Sequence, residues 1–101
     1  MTALPTTTVD PVLESLRARV TEIDREILDA VNRRLELVEE IARHKREAGL
    51  PVHDPHREES MLRALQQVNR GRLNADGVAE LQAALLYLTK RQLGIAAAAN
   101  R

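Results

Sequence analysis

PVLESLRARVTEIDREILDAVNRRLELVEEIARHKREA, residues Pro11 to Ala48, contains no glycine, and its one proline stands at the first position. Its apolar residues Leu13, Leu16, Val20, Ile23, Ile27, Val31, Leu35, Val38, Ile41 and Ala42 recur at helical spacing. Asp10-Pro11 supplies an N-cap and a proline at the first helical position. Nothing interrupts the pattern before Gly49-Leu50-Pro51. Acid-before-base pairs such as Asp29 with Arg33 and Glu39 with Arg43 support the outer face. The spacing therefore predicts one helix of about 38 residues, roughly 57 Å long at ~1.5 Å per residue. A compact domain of this size has a radius of gyration of only about 13 Å. A helix that outreaches the globule its own chain could build argues for an intertwined oligomer, most simply a two-fold dimer.

Outward from this helix the chain is short of punctuation. Asp54-Pro55 repeats the cap-and-proline start, and Leu62, Leu65 and Val68 predict a short second helix ending near Gly71. Asn74 caps a third, with Val78, Leu81, Leu85, Leu88 and Gln92 along one side. No strand signal and no fixed-period repeat occur, so the fold class is all-α: a three-helix protomer with one very long first helix, intertwined as a homodimer. The expected organisation is a Thr- and Pro-rich tail over 1–9, a helical domain over 10–95 and a second tail over 96–101. That second tail is compatible with a linker from a bifunctional polypeptide.

Composition limits the functions available. The 101 residues are 44% apolar with one Tyr, no Phe and no Trp, and 15 basic residues balance 15 acidic ones. A neutral chain has no general attraction for nucleic acid or anionic lipid, so anion binding must be local. Without cysteine there is neither a disulfide framework nor thiolate chemistry. His44, His53 and His56 lack metal-ligand spacing, Arg70-Gly71-Arg72 is too short for a phosphate loop, and Tyr87 reads as packing between helices. The N-terminus has no signal-peptide pattern, and no apolar run approaches a membrane span. A cytoplasmic protein is expected.

Three cations break the stripe of the long helix. Arg17, Arg34 and Lys45 lie on its inner side, and Arg34, Val38, Ile41 and Lys45 follow one another at spacings that share a face. A cation on such a stripe needs an anion to meet it, or else its stem lies along a coiled-coil seam with its head in water. Arg34 and Lys45 stand about 16 Å apart along the axis, within reach of one small molecule between two long side chains. Arg17 stands roughly 25 Å before Arg34. For Arg17 to serve the same site, it must come from a second, antiparallel copy of the helix.

Five segments carry a family resemblance: Leu16-Arg17, Ile23-Asp24, Asn32-Arg33-Arg34, Ile41-Ala42-Arg43-His44-Lys45, and Pro51-Val52-His53-Asp54-Pro55-His56-Arg57-Glu58. Over about residues 12–93 the chain resembles the all-helical (type II) chorismate mutases, with Arg17, Arg34, Lys45, Asp54, Arg57 and Glu58 in register without a gap. The resemblance implies an intertwined dimer with two sites that rearrange chorismate to prephenate, without cofactor or metal. In each site Lys45 and Gln92 would donate to the ether oxygen. Arg34 and the second chain's Arg17 would bind the carboxylates, with Arg57 positioning the substrate. Glu58, with Asp54 beside it, would contact the ring hydroxyl; the Asp54 side chain also has the task of capping a helix, and Glu58 that of a favourable acid in a first turn.

Four positions before Gln92 the family often carries a small hydroxyl residue, and here that position is Leu88, with Thr89 adjacent but about 100° round the helix. Sister activities of the same fold, isochorismate pyruvate lyase and a 4-amino-4-deoxychorismate mutase, keep the same cationic grip. A non-catalytic helical interaction module is the reading from a different class. Some small members of the family are activated by the first synthase of the shikimate pathway, and Arg91-Gln92-Leu93-Gly94 is similar to their ending.

Overall fold

The computed structural model describes residues 9–94. The two expected tails therefore fall outside the described residues, apart from Val9. Three helices follow in order: α1 (Pro11–Ala48), α2 (Pro55–Val68) and α3 (Ala75–Leu93). No strand occurs among the described residues.

Each helix begins and ends for a local reason. Asp10 Oδ1 accepts from the backbone N–H groups of Val12 at 2.9 Å and Leu13 at 3.2 Å, satisfying two donors that the helix itself cannot. The far end of α1 closes with Gly49 in the left-handed region at φ 71°. There Leu50 N donates to Lys45 O at 2.7 Å and Gly49 N to Arg46 O at 3.3 Å, the paired bonds of a Schellman ending. Asp54 caps α2 through Arg57 N, with Pro55 in its first turn. Asn74 caps α3 by accepting from Gly77 N at 2.7 Å, and Gly94 at φ 68° ends it. The second helix stops at Val68, a little short of Gly71. Asn69 takes over the turn, donating to Leu73 O and accepting from Gly71 N.

The chain divides into two compact units between Arg33 and Arg34. The described part of the first unit is the leading portion of α1 with its cap. Its apolar row is uncovered: Leu13, Leu16, Val20, Ile23 and Ile27 are all exposed, Ile23 to 55%. Burying one such side chain is worth about 1.5–3 kcal/mol, so this row forgoes several kcal/mol as it stands.

In the second unit α2 packs on α3. Among the described residues Ala42 and Val78 are its buried apolar ones, and Gln82 and Thr89 are buried with them. Two of the expected stripes differ here. Leu65 and Val68 on α2, and Leu81 and Leu88 on α3, are exposed. The inward side of α3 is instead Val78, Gln82, Leu85, Leu86, Thr89 and Leu93. Tyr87 does not pack between helices: it is exposed, with the Arg91 guanidinium 5.7 Å from its ring centre and bonded to its hydroxyl. The cavity explains the difference on α3, because its wall takes Gln82 and Thr89 while Leu81 and Leu88 turn out.

Candidate active site

The inner face of α1, the loop after it, the first turns of α2 and the middle of α3 enclose a cavity of about 450 Å³. That volume suits a small organic ligand. Arg34 and Lys45 line it from α1, with Val38 and Ile41 between them. Asp54, Arg57 and Glu58 line it from the start of α2. Five residues singled out from the sequence are thus brought together.

Each is held by its surroundings. Arg34 Nη1 donates to Thr89 Oγ1 at 2.5 Å, and the Thr89 hydroxyl donates to Leu85 O at 2.6 Å. A threonine on a helix habitually bonds back to the carbonyl four residues before it, so α3 presents Thr89 Oγ1 to Arg34 as a fixed acceptor. Lys45 Nζ donates to Val52 O at 3.3 Å. Its own carbonyl accepts the Schellman bond from Leu50, so the end of α1 and the loop that follows are tied to one residue. Asp54 Oδ1 accepts from Arg57 N at 3.0 Å, the expected capping bond. Glu58 is half-buried, with its carboxylate 3.9 Å from His53 Nδ1.

The other two expected residues do not line this cavity. Gln92 is exposed, and the cavity wall on this part of α3 is formed by Thr89 and Lys90. Of the two positions considered for a hydroxyl residue, Thr89 is buried and lines the cavity, while Leu88 is exposed. Arg17 belongs to the first unit, where it pairs with Glu14 at 3.3 Å and is well exposed.

Sequence reasoning passed over Gln82, Lys90 and His53, which also line the cavity. Gln82 Nε2 donates to Glu58 O at 3.0 Å. Gln82 sits seven residues before Thr89, two helical turns along the same face, and that spacing was the available signal. Chemically the site is a cluster of guanidinium and ammonium donors around an apolar floor, with the carboxylates of Asp54 and Glu58 at the α2 end. It offers no nucleophile-base pair, and no metal-binding group of His, Cys, Asp and Glu occurs among the described residues.

The family model for chorismate mutase type II matches residues 16–92. The chain belongs to the type II chorismate mutase family. A chorismate mutase from Thermus thermophilus superposes with a TM-score of 0.74 at 36% identity, covering 76% of this chain and 96% of that one. A chorismate mutase from Helicobacter pylori, solved in complex with prephenate, gives a TM-score of 0.73 at 30% identity over 81% of this chain and 89% of that one. Among curated relatives, the T-protein of Haemophilus influenzae is 30% identical over 86 residues, 81% of this chain and 23% of its own length. The bifunctional chorismate mutase/prephenate dehydratase of Aquifex aeolicus is 36% identical over 58 residues, 57% of this chain and 16% of its own. The chain spans less than a quarter of the length of these curated relatives. Family membership thus rests on nearly the whole described chain, including every helix that lines the cavity.

Proposed function

We propose that this chain is a chorismate mutase, converting chorismate to prephenate by an intramolecular [3,3] rearrangement in phenylalanine and tyrosine biosynthesis. The observation that carries this reading is the convergence of Arg34, Lys45, Arg57 and Glu58 on one cavity of about 450 Å³. The reaction needs no proton transfer and no covalent intermediate. It needs the enolpyruvyl side chain folded over the ring and a donor where negative charge grows as the C–O bond breaks.

Guanidinium groups pair with carboxylates in a fixed fork, so Arg34 and the second chain's Arg17 hold the substrate's two acidic ends and fold it, with Arg57 positioning the substrate. Arg34 is suited to this because Thr89 already fixes its orientation. Lys45 donates to the ether oxygen. A donor tethered in place before reaction favours the transition state over the ground state. Its ammonium has donors to spare beyond the one bonded to Val52 O. The resemblance gives the second ether donor to Gln92; that residue is exposed here, so Lys45 carries the role in this proposal and Gln92 is to be tested beside it. Glu58 meets the ring hydroxyl, with Asp54 setting the helix start that aims it.

The proposal includes a homodimer in which the uncovered row on the first part of α1 is covered by a second copy and Arg17 is supplied to the other chain's site. The exposed apolar side chains and the exposed Arg17 support it. A domain over 10–95 and a cytoplasmic location are part of the same reading; no helix among the described residues is long and apolar enough to cross a membrane. Activation by the first shikimate-pathway synthase belongs with it, and is tested by adding that synthase to the assay: unchanged activity would remove it.

Incubation with chorismate, with products separated by chromatography, tests the function. Prephenate should form, and Lys45→Ala should lower kcat by about 10²- to 10³-fold while remaining folded. Pyruvate with salicylate from isochorismate, or turnover of 4-amino-4-deoxychorismate alone, would move the chain to a sister activity. Normal turnover by Lys45→Ala would remove the lysine from the mechanism.

A further inference from the structure

Gln82 is 6% exposed, yet it is a primary amide set among cavity-lining residues at the middle of α3. Its amide has one orientation available. Nε2 donates to Glu58 O at 3.0 Å, and the reverse orientation would set two oxygens against each other. Oε1 is then left buried with no hydrogen-bond partner among the described residues. Buried acceptors are normally satisfied, and an orphan in a native site asks for a donor from outside the fold.

No donor among the described residues reaches this acceptor. Thr89 has its hydroxyl hydrogen committed to Leu85 O. Arg34 and Lys45, which line the same cavity, donate to Thr89 and to Val52 O and not to this acceptor. At neutral pH a chorismate-like dicarboxylate is rich in acceptors and carries a single hydrogen-bond donor, its ring hydroxyl. We infer that Gln82 is a specificity-determining residue, its Oε1 accepting a hydrogen bond from the ring hydroxyl of the substrate. This rests on the reading of the cavity as the chorismate site. The bond from Gln82 to the backbone of Glu58 ties it to the residue expected at the hydroxyl. Gln82 and the Glu58 carboxylate share the recognition of that end of the ring.

Gln82→Met tests this, since methionine keeps the length and removes the acceptor. Wild type and variant are compared on chorismate and on the chorismate analogue lacking the ring hydroxyl, with thermal unfolding of each protein. The variant should lose about tenfold in kcat/KM on chorismate, mainly through KM, and should lose nothing on the deoxy analogue. Its melting temperature should stay near that of wild type, because removal of an unsatisfied buried oxygen offsets loss of the bond to Glu58 O. A merely structural glutamine predicts equal losses on both substrates.

Equal losses on both substrates, or unchanged kinetics on chorismate, overturn the inference while leaving the mutase reading intact. Absence of chorismate turnover by the wild-type protein overturns both. Should Gln82→Met fail to fold, Gln82→Leu is compared in the same way, and failure of both assigns Gln82 to the fold and ends the inference.

Discussion

At the scale of single residues the site is organised by side chains that hold other side chains. Thr89 is the clearest case: it receives Arg34 Nη1 while anchored to Leu85 O. Thr89→Val keeps the shape and removes the acceptor, so Arg34 loses its fixed orientation. The expected outcome in steady-state kinetics is a rise in KM of about five- to tenfold with kcat nearly unchanged, and Thr89→Ser should restore most of it. Asp54 can be divided between its two tasks in the same manner. Asparagine caps a helix as well as aspartate, so Asp54→Asn should leave the urea midpoint of unfolding near wild type, whereas Asp54→Ala should lower stability by about 1 kcal/mol. A drop in turnover confined to the charge would show in both variants, and a drop owed only to the cap would show in alanine alone.

At the scale of elements, helix ends were legible in the sequence because their causes are local. Asp10-Pro11, Asp54-Pro55 and Asn74 each satisfy backbone groups within two or three residues, and all are used as read. Gly49 belongs with them: at φ 71° it closes α1, and Gly49→Ala should cost about 1 kcal/mol in a denaturant titration. The inward faces were legible only where they are apolar. On α1 the run Arg34, Val38, Ile41, Lys45 stood out because two cations interrupt an apolar stripe, and all four line the cavity. On α3 the same reasoning ranked Leu81 and Leu88 above Gln82 and Thr89, since a binary pattern sends polar residues to solvent. Only the tertiary cavity, with its need for neutral hydrogen-bonding groups, reverses that preference. Gln92 followed Leu88 out of register, because likeness in sequence does not show which face of α3 turns inward.

For the whole molecule, the proposed dimer makes a site from two chains, and this can be read without a structure of the assembly. Arg17→Ala and Lys45→Ala should each be nearly inactive. Mixing them in equal amounts, after exchange of subunits, should restore about a quarter of wild-type sites: half the dimers are mixed, and one of the two sites in each is complete. No recovery on mixing would place both residues in the same chain's site. Ile23→Asp, on the uncovered row, should shift the protein toward monomer in sedimentation and lower activity with it. That row has a consequence for how the protein is handled. Its burial would await a collision between chains, so the last stage of refolding would be second order, and a melting temperature would carry meaning only beside the concentration at which it was taken. Diluted far enough, the first part of α1 would have little beyond its own helix propensity to hold it, and that is a weak force for a helix in water.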